Sequence, residues 1–242
     1  MAFYGVIPAR YASTRFPGKP LALIHGKPMI QWVYERSLAA DLRHVVVATD
    51  DQRIMDTVKA FGGEAMLTSP HHQSGTERSA EVADMLRLTP DDVVVNIQGD
   101  EPYIRSEAIN LLISQFKDSS VQIATLAKEF RPDENPENPN MVKVTFSATG
   151  RALTFSRSPL PYYRNAEVPR VYYKHIGIYA YRYGTLRDIV RLPLSTLENA
   201  EKLEQLRWLE NDYPIHVAPC AYESVAIDTP EDLVRAEQIT DF

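Results

Sequence analysis

The chain has 242 residues, 44% of them hydrophobic and 24% charged, which fits an ordinary globular α/β protein with one sizeable core. Its formal net charge of −6 argues against general nucleic-acid binding, which calls for a basic surface. A lone cysteine, Cys220, rules out an internal disulfide and a cysteine zinc site, and no apolar run approaches the roughly 20 residues of a membrane span.

In chain order, "FYGVI" (3–7) is a buried strand ending at Pro8. Residues 27–40 place Met29, Ile30, Val33, Tyr34 and Leu38 at helical spacing, with Pro28 in the first turn. "HVVVAT" (44–49) is a second strand, followed by "TDD" and a helix over 50–61 that Gly62 and Gly63 stop. A helix over 74–88 opens with Ser74 and Glu77 at capping-box spacing. "DVVVNI" (92–97) is a third strand and 106–116 a further helix. Strands alternating with helices predict parallel βαβ units in a doubly wound, mostly parallel sheet.

The second half has a different texture. "PDENPENPN" (132–140) is a turn-rich connection, and 141–146 with 152–157 read as a hairpin around "SATG". Residues 158–170 hold three prolines and suit an ordered arm. A strand over 172–182, a helix over 200–211, a strand over 214–218 and a helix over 229–239 capped by Thr229 complete the chain. The expectation is one domain over 1–242, with a first half (1–130) of alternating strands and helices and a second half (131–242) carrying the inserted hairpin and arm.

Ligands in an open parallel sheet bind beyond the carboxyl ends of the strands. The first such end carries "PARYASTRFPGKP" (8–20), where Arg10 and Lys19 lie on a turn stiffened by Pro8, Pro17 and Pro20. Two cations on one loop suit several phosphates; the pattern alone suits an exposed basic loop equally well. Neither glycine-rich phosphate motif occurs in the chain. The third strand end carries "QGDEP" (98–102), with Asp100 in a position that suits Mg2+ and that a simple turn also explains. Asp228 precedes the last helix, where an acidic residue also favours the helix dipole. The adjacent His71 and His72 read as loop residues, since neighbours cannot face one metal.

Seven segments extend these readings: "IPARYASTRFPGKPL", "HQSGTER", "VNIQGDEP", "LTFSRSPLPY", "KHIGIYAYR", "EKLEQLR" and "IDTPEDL". In this order and spacing they closely resemble the 3-deoxy-manno-octulosonate cytidylyltransferase family, the CMP-Kdo synthetases of Gram-negative bacteria. The resemblance implies a cytoplasmic, Mg2+-dependent homodimer of nucleotide-diphospho-sugar transferase-like fold. It would make CMP-Kdo from CTP and 3-deoxy-manno-octulosonate (Kdo), for lipopolysaccharide or capsule, with no nucleic-acid or membrane partner. By motif, Arg10 and Lys19 would hold the triphosphate, with Pro8 and Ala9 beside the nucleotide and Ser74, Gly75 and Arg78 at the cytidine. Asp100 and Asp228 would bind Mg2+; Gln98, at the nucleotide and sugar, would join Arg157, His175, Tyr179, Glu204 and Gln205 in contacting Kdo. The resemblance implies a nucleotide-binding half over 1–130 and a sugar-binding and dimerisation half over 131–242, with the arm serving dimerisation. Lys174 stands where many members have Arg, and the arm is shorter than in several of them. Rival expectations are a cytidylyltransferase for 8-amino-Kdo or a sialic acid, and a glycosyltransferase of similar fold, whose usual D-x-D motif is replaced here by "GDEP".

Overall fold

Valine- and isoleucine-rich runs with no polar interruption become strands buried on both faces. The computed structural model describes residues 1–12, 15–223 and 225–239, so the loop 8–20 and the approach to the last helix lie partly outside the described residues. In chain order the elements are β1 (Phe3–Ala9), β2 (Leu23–Ile24), β3 (Lys27–Pro28), α1 (Met29–Leu38), β4 (His44–Thr49), α2 (Gln52–Ala60) and β5 (Ala65–Leu67). There follow α3 (Gly75–Met85), β6 (Val93–Asn96), α4 (Ser106–Ser114), β7 (Ile123–Glu129), β8 (Lys143–Phe146), β9 (Ala152–Ser156) and β10 (Tyr173–Arg182). The last are α5 (Tyr183–Ile189), α6 (Thr196–Glu201), α7 (Glu204–Glu210), β11 (Ile215–Pro219) and α8 (Pro230–Ala236).

The chain divides into two units. Unit 1 gathers residues 1–110, 182–190 and 224–242, so the C-terminal segment returns to the N-terminal strands. Its sheet is parallel: β1 pairs with β6 on one side and β4 on the other, and β4 pairs with β5. Val6, Ile7, Val46, Val47, Val94 and Val95 are fully buried. The return of the chain rests on an apolar cluster in which Ile227 and Ala236 pack with Ile24, Met29 and Tyr103, and the Tyr103 hydroxyl donates to Ala236 O at 2.6 Å.

Unit 2 holds residues 111–181 and 191–223. Here β7 lies between β11, to which it is parallel, and β10, to which it is antiparallel. The hairpin β8–β9 forms as expected, and β8 also pairs with β10 at Lys174 and Lys143. The β10–β7 register slips between Ile176 and Tyr179, leaving Gly177 and Ile178 as a bulge in which Ile178 stays buried.

Several local expectations shift. Pro28 is not inside the first helical turn; it caps α1 from an extended conformation. Glu77 answers the Ser74 cap by accepting from Gln73 N, not from Ser74 N. The helix expected over 200–211 is broken: Lys202 adopts a left-handed conformation (φ 54) and divides α6 from α7. β7, β5 and α5 had no counterpart in the sequence reading.

Candidate functional site: a cationic cleft in unit 1

The loop after β1 contains one glycine, and its role is conformational. Gly18 has φ 74, a region open to glycine at no steric cost, and its N–H donates to Tyr11 O at 2.9 Å. This turn launches a short 3-10 helix at Lys19, with Pro20 locking the next residue. The Arg53 guanidinium lies 3.3 Å from the Tyr11 ring centroid and holds the loop from outside.

Lys19 is thereby aimed at two carboxylates from distant parts of the chain. Its Nζ lies 2.7 Å from Asp100 Oδ2 and 3.2 Å from Asp228 Oδ1. The backbone brings the two aspartates together, because Ile227 N donates to Asp100 O at 2.9 Å. Asp228 N and Thr229 N both donate to Asp232, so the α8 cap fixes the residue that carries the second carboxylate. Arg15 Nη2 donates to Asp228 Oδ1 at 3.1 Å, which gives that residue a structural partner.

Gly99 lets the loop after β6 press on β1. A Cβ there would lie 2.7 Å from Pro8 O, closer than real contacts allow. On the other side the N-terminus of α3 faces Pro8, with Gly75 leaving 3.3 Å between a hypothetical Cβ and Pro8 Cγ. A helix N-terminus carries unsatisfied N–H groups and a positive dipole end, both suited to an anion or an acceptor edge. His72, read from sequence as a plain loop residue, pairs with Glu81 at 2.6 Å and ties the preceding loop to α3. The Glu81 carboxyl lies below its ordinary range: burial raises it, but the Ser69 N–H and His72 lower it further.

These segments line one cleft of ≈ 450 Å³. Pro8, Ala9, Arg10, Lys19, Ser74 and Gly75 contribute to it, as do Arg78, Gln98, Asp100 and Asp228. Arg15 also lines it, so four cationic side chains (Arg10, Arg15, Lys19, Arg78) face two carboxylates (Asp100, Asp228) among the described lining residues. A concave, net-positive wall in a protein of net charge −6 is a local anion trap.

The other expected residues belong to unit 2. His175 and Tyr179 flank the β10 bulge with ring centroids 5.2 Å apart. His175 Nε2 lies 3.0 Å from Thr125 Oγ1, and burial lowers its pKa to about 3, so the ring is neutral. Burial, with Tyr181 and Glu204 adding repulsion, raises the Tyr179 phenol. Trp208 on α7 packs edge-on against Tyr179 at 5.1 Å. Arg157 is held by its own neighbourhood: Nε donates to Glu201 O at 2.7 Å and Nη1 to Pro139 O at 2.8 Å. Glu204 accepts from Arg207 at 3.0 Å, and Gln205 beside it on α7 is buried.

Comparison with known proteins joins these observations. The cytidylyltransferase family profile matches residues 4–216. Two proteins named 3-deoxy-manno-octulosonate cytidylyltransferase are close relatives. That of Phocaeicola vulgatus is 53% identical over 98% of this chain and 96% of its own, and that of Thermodesulfovibrio yellowstonii is 50% identical over 96% of each. The chain belongs to the 3-deoxy-manno-octulosonate cytidylyltransferase family. A solved structure of CMP:2-keto-3-deoxy-manno-octonic acid synthetase complexed with CTP superposes with a TM-score of 0.92 at 44% identity, covering 98% of this chain and 97% of that one. A glucose-1-phosphate thymidylyltransferase structure from Bacillus anthracis, at 17% identity and a TM-score of 0.67, shares the fold alone. The fold is therefore α/β with a mostly parallel sheet, of nucleotide-diphospho-sugar transferase type.

For a member of this cytidylyltransferase family the donor set suits Mg2+. Asp100 and Asp228 converge on a single ammonium, so their oxygens already point at one small positive centre. Mg2+ takes hard oxygen ligands, usually one or two carboxylates with phosphate oxygens and water. Among the described residues no group of three or more His, Cys, Asp or Glu side chains forms a metal cage. Sequence reasoning left Asp50 and Thr68 unassigned. Both touch Arg78, and the one signal for Asp50 was its place at the carboxyl end of β4.

Proposed function

We propose that the protein transfers the cytidylyl group of CTP to the anomeric hydroxyl of Kdo, giving CMP-Kdo and pyrophosphate. The sugar oxygen forms a bond to the α-phosphorus in line, the bond to the β-phosphate bridging oxygen breaks, and the hydroxyl proton passes to solvent. No covalent intermediate on the protein is needed, so catalysis is positioning and charge stabilisation. The observation that carries the reading is the convergence of Asp100, Asp228 and Lys19 on one wall of the cationic cleft, in a member of this family.

Asp100 and Asp228 would hold Mg2+, which when bound supplies charge neutralisation and Lewis acidity at phosphoryl oxygens. Arg10 and Lys19 would stabilise charge on the triphosphate and the departing pyrophosphate. Pro8, Ala9, Ser74, Gly75, Arg78 and Gln98 would hold the nucleoside. Arg157, His175, Tyr179, Glu204 and Gln205, with Gln98, would contact the sugar acid. Neutral His175 would offer a hydrogen bond and no charge there.

The reading extends to a cytoplasmic homodimer feeding lipopolysaccharide or capsule synthesis. Among the described residues no helix is long and apolar enough to cross a membrane. Support for self-association comes from the arm, where Tyr162 is 89% exposed and Val168 and Val171 are also exposed. That arm is internally braced: Tyr163 Oη donates to Val171 O at 2.7 Å and accepts from Val171 N at 2.8 Å. Sedimentation would report the dimer. The chemical test is pyrophosphate release from CTP with Kdo, 8-amino-Kdo or N-acetylneuraminate, with the CMP-sugar identified by mass. Kdo should be the substrate; product from N-acetylneuraminate and none from Kdo would overturn the assignment.

A further inference from the structure

Arg78 is a charged side chain with 1% of its surface exposed, yet it lines the nucleotide cleft. Its Nη2 donates to Asp50 Oδ2 at 3.0 Å and its Nη1 to Thr68 Oγ1. Thr68 is itself fixed: its N–H donates to Thr49 O at 2.8 Å, and its hydroxyl donates to the same carbonyl at 3.1 Å. The hydroxyl proton is thus committed, and the oxygen lone pairs are left to accept from Arg78. Asp50 and Thr68 follow the carboxyl ends of the adjacent strands β4 and β5, so two rigid strands clamp one guanidinium.

The chemistry of this clamp differs from that of Arg10 and Lys19. A carboxylate in contact with a buried guanidinium cancels most of its charge toward a phosphate. What remains is a planar, pre-aligned set of N–H donors, since Arg carries five and never deprotonates. Pre-aligned donors of a neutral pair suit the carbonyl oxygen and ring nitrogen of an uncharged pyrimidine.

We propose that Asp50 and Thr68 are positioning residues for base recognition, holding Arg78 so that it reads the acceptor edge of the nucleobase and not the triphosphate. The proposal rests on the nucleotide reading of the cleft given above. It makes separate statements about base and phosphate affinity, which a merely structural role would not do.

The test is calorimetric titration of CTP and of inorganic tripolyphosphate into the wild-type protein, Asp50→Asn and Thr68→Val. Asparagine keeps the size and one acceptor oxygen but drops the charge; valine removes the second acceptor. The Kd for CTP should rise roughly tenfold or more in Asp50→Asn, the scale of one hydrogen bond to a charged group, and by less in Thr68→Val. The Kd for tripolyphosphate should not rise in either, and in Asp50→Asn it should fall because a cationic charge is uncovered. Unchanged CTP affinity in both variants, or equal weakening of both ligands, overturns the proposal. If Asp50→Asn fails to fold, Thr68→Val decides alone. A wild-type protein that binds no CTP would instead overturn the nucleotide reading itself.

Discussion

Replacing Lys19 with methionine should strengthen metal binding and weaken nucleotide binding at the same time. The ammonium sits 2.7 Å from Asp100 and 3.2 Å from Asp228, so a divalent cation arriving alone must compete with it for both carboxylates. At an effective dielectric constant of about 20, the two contacts are worth about 6 and about 5 kcal/mol of gross attraction. The side chains of Asp100 and Asp228 are 29% and 39% exposed, so solvent screening reduces the net to about 1 kcal/mol for each pair. Removing both frees the carboxylates by about 2 kcal/mol, and at 1.4 kcal/mol per decade the metal affinity should rise roughly 10- to 30-fold. CTP affinity should fall about tenfold, because a cation that can turn to the triphosphate is gone. Mn2+ titration followed by electron paramagnetic resonance, without nucleotide, measures the first effect; calorimetry with CTP measures the second. An Mn2+ affinity in Lys19→Met equal to or weaker than wild type would refute the shared-carboxylate geometry.

Gly99→Ala should cost about 1–3 kcal/mol, because its Cβ would meet the Pro8 backbone oxygen at 2.7 Å and neither side is a flexible tip. At about 2–4 °C per kcal/mol for a chain of this size, melting should drop by several degrees and CTP binding should weaken with the displaced Pro8; no change in either would contradict that contact. Lys174→Met should lose about 2 kcal/mol in urea unfolding, since buried Lys174 holds both Glu134 and Glu223 and its removal leaves them only the more exposed Arg131, with Lys128 also beside Glu223. A loss under 1 kcal/mol would show the cluster to be dispensable. His175 should make stability fall with acidity: it takes up a proton near 6.5 when unfolded but only near 3 when folded, so the unfolded chain binds more protons between those values. Urea unfolding at pH 6.5 and pH 5 should differ by about 2 kcal/mol from this residue, and His175→Gln should remove that share of the pH dependence.

The parallel strands of unit 1 were legible because fully buried strands leave unbroken runs such as "HVVVAT" and "DVVVNI". β7 was not, although it is buried along most of its length. Its "IATLAKE" holds four residues of low strand propensity, and neither apolar alternation nor a β-branched run marks it. Tertiary pairing on both sides makes it a strand. The break at Lys202 was equally silent, because a lysine in a left-handed conformation has no glycine to announce it. For the cleft, local pattern could show cations after β1 and carboxylates after β6 and before α8. It could not show that they meet, since Asp228 is brought beside Asp100 by the apolar seat of Ile227 and the backbone hydrogen bond from Ile227 N to Asp100 O. Ordered motifs supplied that link where pattern stopped. The Asp50–Arg78 pair is a contact of the same kind, formed by adjacent strand ends that no local spacing reveals.

The most direct measurement is the initial rate of pyrophosphate release from CTP and Kdo in Mg2+, compared for wild type, Asp100→Asn and Asp228→Asn, with CTP affinity measured alongside. Both variants should lose turnover by orders of magnitude while still binding CTP. Near-normal turnover in either variant would contradict a shared metal site, and no CMP-Kdo from the wild-type protein would contradict the assigned reaction.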